Sequence, residues 1–285
     1  MKRIILAIIL FAIPAFAKDA PDFNALKKSW GSLNSLTITK SAGEKYAVSV
    51  RKGAVRTSRD LYMIVPDKPE IMLWLFHGYK PEGDPYKQSP EILIKNMGLK
   101  ELSSWHNALV VIVDSGTSLY VYNPDNGLSE LRIYLGIYDK LVKLHGALPV
   151  ILSGISSGAE GAVKFAPLIS KLKSLICISG TYDYSTLAAD SGEYKIHLKE
   201  YASPAGWEIE QPVTIFPAIK CRIILLSEEL SIYRQQAALA SRIKTSNKTE
   251  FMKDIGKGKS HNWDFWASAE VKKILQRELQ AAGDY

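Results

Sequence analysis

The chain has 285 residues, 47% hydrophobic and 23% charged, a length and balance that suit one packed domain and exclude a disordered or low-complexity chain. Its formal charge of +7 comes from Lys and Arg residues scattered along the sequence, which reads as a solvated basic surface and not as a nucleic-acid interface. The five histidines and two cysteines show no metal-ligand spacing, so no metal or other cofactor is expected.

The first seventeen residues have the pattern of an export signal. Lys2 and Arg3 precede an apolar run from Ile4 to Phe16, and Ala15-Phe16-Ala17 supplies the small-x-small pattern of a cleavage site. The run is shorter than the roughly 20 apolar residues of a membrane span. The mature chain is therefore expected to begin at Lys18, to form a single domain over 18–285, and to act in the periplasm or outside the cell without stable membrane insertion. Export would permit a disulfide between Cys177 and Cys221, although both lie in or beside apolar strand-like runs where buried free thiols are equally at home.

After an opening segment rich in Lys, Ser and Gly, Tyr46–Val50 and Leu61–Val65 are expected as early antiparallel strands. Residues 71–76 and 108–113 are short, continuously apolar runs, as strands buried on both faces require. Gly127–Leu144 has Leu128, Leu131, Leu135, Tyr138, Leu141 and Leu144 at helical spacing, with Gly146 just past its end. Val150–Leu152, Ser174–Ile178 and Arg222–Leu226 are further buried strands, and Glu250–Ile255 is read as the last. Helices are expected from the Gly-Ser-Gly turn to about Lys171, over Tyr233–Ile243, and over Trp263–Ala281. This alternation predicts an α/β fold with a mostly parallel sheet and helices on both faces. The long stretch from Gly180 to Lys220, with four tyrosines and Trp207, reads as a cap-like insertion before the strand at 222–226.

Gly154-Ile155-Ser156-Ser157-Gly158 sits between a buried strand and a helix. A nucleophilic serine on a sharp strand-to-helix turn needs small neighbours two residues either side, which makes Ser156 the candidate nucleophile. A serine needs a base. His106 and His145 precede strands and fall on the wrong edge of a parallel sheet, His77 follows a buried strand in a His-Gly pair, and His197 lies in the insertion. His261 follows the last expected strand in the loop from Gly256 to His261, and it comes after Ser156 in chain order. The acid that orients it is expected after the strand at 222–226, where Glu228 and Glu229 are adjacent and cannot both point inward. Lys257 and Lys259 beside His261 point to a mouth that attracts anionic substrates.

With these residues in place the chain resembles the α/β-hydrolase superfamily. His77-Gly78 is similar to that superfamily's oxyanion-loop motif, and Gly154 to Gly158 to its nucleophile elbow. Residues 260–266, Ser-His-Asn-Trp-Asp-Phe-Trp, resemble the His-x-Trp-x-x-Trp ending of secreted esterase-D-like and carbohydrate-ester esterases. Tyr201-Ala202-Ser203-Pro204 is similar to the Ser-Pro element of prolyl-oligopeptidase-like and feruloyl-esterase-like members. In those members the acid strand is followed by Gly-x-x-Asp. Registering this chain on its helix start at Ile232 puts the acid at Glu229 and leaves Leu226 where glycine is usual. By the same analogy the N–H groups of Tyr79 and Ser157 would hold an oxyanion. The resemblance implies an exported serine hydrolase acting on carboxylic esters, small or borne on a polymer such as a carbohydrate. A peptidase or acyltransferase on the same fold, or a binding protein that has lost turnover, is the alternative.

Overall fold

A computed structural model describes residues 21–80, 88–116, 119–122, 128–201, 207–208, 210–229, 231–243 and 249–283. The export signal at 1–17 and Ala202-Ser203-Pro204 lie outside the described residues.

The strands are β1 (Ser35–Ala42), β2 (Lys45–Lys52), β3 (Val55–Ile64), β4 (Ile71–Phe76), β5 (Ala108–Val113), β6 (Val150–Ile155), β7 (Leu172–Ile178), β8 (Arg222–Leu226) and β9 (Thr249–Phe251). They form a nine-stranded sheet in the order β1-β2-β3-β5-β4-β6-β7-β8-β9. β1, β2 and β3 form an antiparallel meander, and β3 joins β5 antiparallel. From β5 to β9 every pairing is parallel. The principal helices are α1 (Phe23–Trp30), α2 (Pro90–Met97), α3 (Leu99–His106), α4 (Glu130–His145), α5 (Ser157–Phe165), α6 (Gly192–Tyr201), α7 (Ile232–Ala240) and α8 (Ala269–Gly283). The expected α/β-hydrolase architecture, a mixed and mostly parallel sheet with helices around it, is the one observed.

Strand alternation explains the layering. Along β4, Met72, Trp74 and Phe76 point to one face, where they pack with α4 and α5 residues such as Tyr134 and Phe165. Ile71, Leu73 and Leu75 point to the other, against Leu93, Leu102 and Leu275 of α2, α3 and α8. All six β4 residues are buried, which is why its sequence is continuously apolar.

Several boundaries differ from the sequence reading. β1 is an added strand at the sheet edge, where only Leu36 is buried, so its composition is that of a polar surface. α2 and α3 carry no expectation. Each is eight residues long, and they meet at Gly98, whose φ of 65° breaks the helical run. The expected helix over Trp263–Ala281 is divided into a single turn, Trp263–Trp266, capped by Asn262, and then α8. Cys177 and Cys221 are free buried thiols, and burial raises both pKa values, that of Cys221 to about 12.

A two-sided core makes a simple prediction. Leu73→Ala should cost about 2–5 kcal/mol in urea denaturation, whereas Leu144→Ala, at a position 73% exposed, should change stability by less than about 0.5 kcal/mol. Equal losses would contradict the assignment of β4 to the centre.

Candidate active site

Chain direction in the sheet reverses its winding around β4: β5 lies on one side of it and β6 on the other. Loops leaving the carboxyl ends of β4, β6, β7 and β8 therefore diverge and open a crevice. They carry His77–Lys80, Ser156, Ser179–Thr181 and Ser227–Glu229. His106 and His145 end α3 and α4, ahead of β5 and β6, and so stand at the opposite edge.

Ser156 has φ 56° and ψ −128°, a conformation costly for any residue with a side chain. Its N–H donates to the carbonyl of Ile178 at 2.8 Å, which ties the turn to β7. The flanking glycines are there for space. A Cβ on Gly154 would stand 2.1 Å from the carbonyl oxygen of Gly158, and one on Gly158 would stand 2.3 Å from that of Phe76. The turn lifts the Ser156 hydroxyl to the mouth of the crevice, where His261 Nε2 lies 3.2 Å from Oγ.

His261 Nδ1 is 2.7 Å from Oε1 of Glu228. An ionised carboxylate only accepts, so Nδ1 carries the proton and Nε2 presents its lone pair to the serine. Glu228 is fully buried. Burial alone would raise its pKa, but hydrogen bonds from His261 and from the Ser179 hydroxyl, with the electrostatic attraction of His261, outweigh burial and hold it below the ordinary carboxylate value. Ser179 itself has φ 55°, so β7 ends on a second non-glycine residue in the left-handed region.

The acid position expected from the helix start, Glu229, is corrected by one residue. Glu228 points inward and Glu229 turns away to accept from the Gly258 N–H at 2.8 Å, while its own N–H donates to the Gly256 carbonyl at 2.9 Å. The reason is the close packing of the two loops. A Cβ on Gly256 would stand 1.9 Å from the Ser227 carbonyl oxygen and 2.7 Å from the Glu228 Cα, so the histidine loop lies directly on residues 227–228. Glu229 clamps that loop from outside, and Glu228 meets the imidazole within.

Two aromatic rings fix the imidazole further. Tyr233 of α7 stacks on it at 4.0 Å with an 11° interplanar angle, and Trp266 meets it edge-to-face at 4.9 Å. Trp266 is buried and Trp263 packs against it at 5.4 Å. Tyr233 donates its hydroxyl to Glu193 of α6, which links the insertion to the histidine.

His77 is buried with its Nε2 accepting from the Ser115 N–H at 2.9 Å, and burial depresses its pKa. Its Nδ1–H therefore donates to the Gly78 carbonyl, 2.6 Å away, and the neutral ring shapes the loop. A Cβ built on Gly78 would stand 3.1 Å from that of Ser156, so this loop passes beside the serine and Tyr79 follows it into the crevice. Ser157 is the first residue of α5, where an N–H has no intrahelical acceptor.

A cavity of about 220 Å³ adjoins Ser156 and includes Tyr79, Ser157, His261, Trp266 and Tyr233 in its lining. No motif in the sequence marks the remaining wall: Gln88 ahead of α2, Leu119 after β5, Thr181 after β7, Glu160 of α5, and Glu193, Ile196 and His197 of α6. His197 Nε2 lies 3.1 Å from Glu160, which also accepts from Tyr184 at 2.8 Å. Lys257 and Lys259 are not in the lining, whose acidic members are Glu160 and Glu193, so the expected attraction of anions has no support in this wall.

No family model matches the chain, and no curated protein matches it by sequence. Its structure is similar to a puromycin-hydrolysing peptidase of Mycobacterium tuberculosis, with TM-score 0.59 and 14% identity over 80% of this chain and 38% of that one. Dipeptidyl peptidase 4 of Porphyromonas gingivalis gives 0.57 and 12% over 87% and 35%. The chain thus spans little more than a third of those peptidases. The structure of EstE5 soaked with p-nitrophenyl butyrate gives 0.55 and 12% over 96% and 94%. At these identities the likeness establishes the α/β-hydrolase fold.

Glu228 and Glu229 can be separated by experiment. Glu228→Gln should lower kcat/KM on a chromogenic ester about a thousandfold, and Glu229→Gln less than about tenfold. The depressed pKa of Glu228 adds stability above the ordinary glutamate value of about 4.3, and this is lost as pH falls through the lower folded value. The acid limb of the stability curve should therefore flatten in Glu228→Gln. A larger loss of activity in Glu229→Gln would reverse the assignment.

Proposed function

We propose that the protein is an exported serine hydrolase that cleaves carboxylic esters through an acyl-enzyme on Ser156. The observation that carries this reading is the line from Glu228 through His261 to Ser156, at 2.7 and 3.2 Å, ending on a strained elbow. Export rests on the basic, apolar and small-x-small pattern of residues 1–17.

In the first step Ser156 Oγ attacks the ester carbonyl carbon while His261 Nε2 takes the hydroxyl proton. Negative charge gathers on the carbonyl oxygen, which the N–H groups of Tyr79 and Ser157 receive. One such donor is worth about 3 kcal/mol of barrier. Buried Glu228 stabilises the imidazolium and keeps its ring in place without accepting the proton. The imidazolium then protonates the departing alkoxide, leaving an acyl-Ser156 ester. Water, deprotonated by the same Nε2, attacks that ester and releases the acid and the free serine.

Two of the similar structures are peptidases, so hydrolysis of an amide by the same groups is the second reading. A panel of matched p-nitrophenyl esters and p-nitroanilides separates the two.

A fluorophosphonate probe tests the reading directly, because it reacts with an activated serine. The mature protein should be labelled, Ser156→Ala not at all, and His261→Ala about a thousandfold more slowly. Labelling that persists in Ser156→Ala, or a folded parent that is never labelled, would overturn the reading.

A further inference from the structure

The loop that carries the candidate oxyanion donor Tyr79 is pinned on both sides of that residue. Ahead of Tyr79, the His77 Nδ1–H donates to the Gly78 carbonyl at 2.6 Å. That carbonyl belongs to the peptide whose nitrogen is Tyr79. The peptide is trans, so its C=O and N–H share one plane and point opposite ways. Holding the oxygen therefore aims the N–H. Gly78 also packs against the serine turn: a Cβ there would stand 3.0 Å from the Ile155 carbonyl oxygen and 3.1 Å from the Ser156 Cβ.

Beyond Tyr79 the pin is ionic. Lys80 Nζ donates to both carboxylate oxygens of Asp114, at 2.8 and 2.7 Å. Asp114 follows β5 and is itself fixed. Its N–H donates to the Asp60 carbonyl of β3 at 2.8 Å, and its Oδ1 accepts from the Gly116 N–H at 2.9 Å. Burial alone would raise the Asp114 pKa, but hydrogen bonding from Lys80, with contributions from His77 and the Gly116 N–H, holds it below the ordinary carboxylate value. The carboxylate is thus ionised at neutral pH. The two side chains are 13% and 20% exposed, sheltered enough for their attraction to outlast screening by salt.

These contacts reach opposite neighbours of β4. Gly78 leans on β6 and the serine turn, whereas His77 and Lys80 are tied to Ser115 and Asp114 in the loop after β5. Tyr79 lies between them and lines the cavity beside Ser156. Without the ion pair the chain after Tyr79 loses its anchor to β5, and the Gly78–Tyr79 peptide can tilt. A donor aimed at a developing oxyanion is sensitive to tilt, because a hydrogen bond weakens steeply as its angle closes. We propose that Lys80 and Asp114 are positioning residues for oxyanion stabilisation, holding the chain beyond Tyr79 so that its N–H faces the carbonyl oxygen of a substrate at Ser156. The proposal rests on the reading of Ser156 as the nucleophile of an acyl transfer. Neither Lys80 nor Asp114 is in the cavity lining, so substrate binding in the ground state does not call on them. Both lie outside the two apolar layers, so loss of the pair falls on the transition state more than on folding.

The test uses Lys80→Gln, Asp114→Asn and the double variant, assayed on p-nitrophenyl butyrate with a trifluoromethyl ketone as inhibitor. Ser156 Oγ adds to the ketone carbon, His261 takes the hydroxyl proton, and the ketone oxygen becomes the oxyanion. The inhibition constant therefore reads the oxyanion donors directly. Each single variant should lower kcat about thirtyfold, less than the hundredfold or more that loss of a whole donor costs, with KM changed by less than about twofold. The inhibition constant should rise by the same factor as kcat/KM falls. The double variant should be no worse than either single one, since two residues acting as one pair do not lose activity additively. A kcat within about threefold of the parent in both single variants, a lower kcat with an unchanged inhibition constant, or multiplied losses in the double variant would overturn the proposal. Unfolding of the variants would assign the pair to the fold and overturn it as well. A folded parent that a fluorophosphonate does not label would instead overturn the reading of Ser156.

Discussion

Gly158 approaches the end of β4 so closely that a Cβ would stand 2.3 Å from the Phe76 carbonyl oxygen and 2.5 Å from that of His77. This contact fixes the start of α5 against β4, and Gly154 closes the turn beneath it against Gly158 itself. With both ends pinned, Ser156 has no room to relax from its φ of 56°. The same apposition sets the His77–Tyr79 loop beside the serine, so candidate nucleophile and candidate oxyanion donors come from one packing constraint. Strain of this kind persists only where surrounding structure over-determines it, and here that structure is the buried centre of the sheet.

The insertion after β7 joins this centre by polar bonds. Tyr233 stacks on His261 and donates to Glu193, and the Glu160–His197 pair links α5 to α6 across the cavity. A small aromatic cluster of its own, Tyr184, Leu187, Tyr201 and Trp207 with Val121, gives the insertion a packed interior. Movement of α6 would consequently be felt at the imidazole. The loop bearing His261 is held from its other side by Glu229, so the imidazole is located by contacts from the loop after β8, from α7 and from the turn at Trp266 together.

The centre of the fold was legible because buried parallel strands leave a plain mark: 71–76, 108–113 and 223–226 are apolar without interruption, and each lies in a strand. The serine turn and His261 were legible because a tight turn restricts its neighbours to glycine and chain order leaves few histidines. β1 was not, since an edge strand buries little and its composition is that of a loop. Glu228 was not separable from Glu229, because the choice depends on how far the loop turns after β8, which Gly256 settles from another part of the chain. Gln88 and Thr181 are single polar residues in loops, with no periodicity or motif to mark them. They become visible only as unpaired groups around a cavity.

The arrangement in the crevice depends most on the bond between His261 and Glu228. A proton held between imidazole and a buried carboxylate gives a far-downfield resonance, so proton NMR of the protein reports on it directly. Pairing of His261 with Glu228 predicts such a resonance in the parent and in Glu229→Gln, and its loss in Glu228→Gln. A signal that survives in Glu228→Gln and vanishes in Glu229→Gln would contradict it.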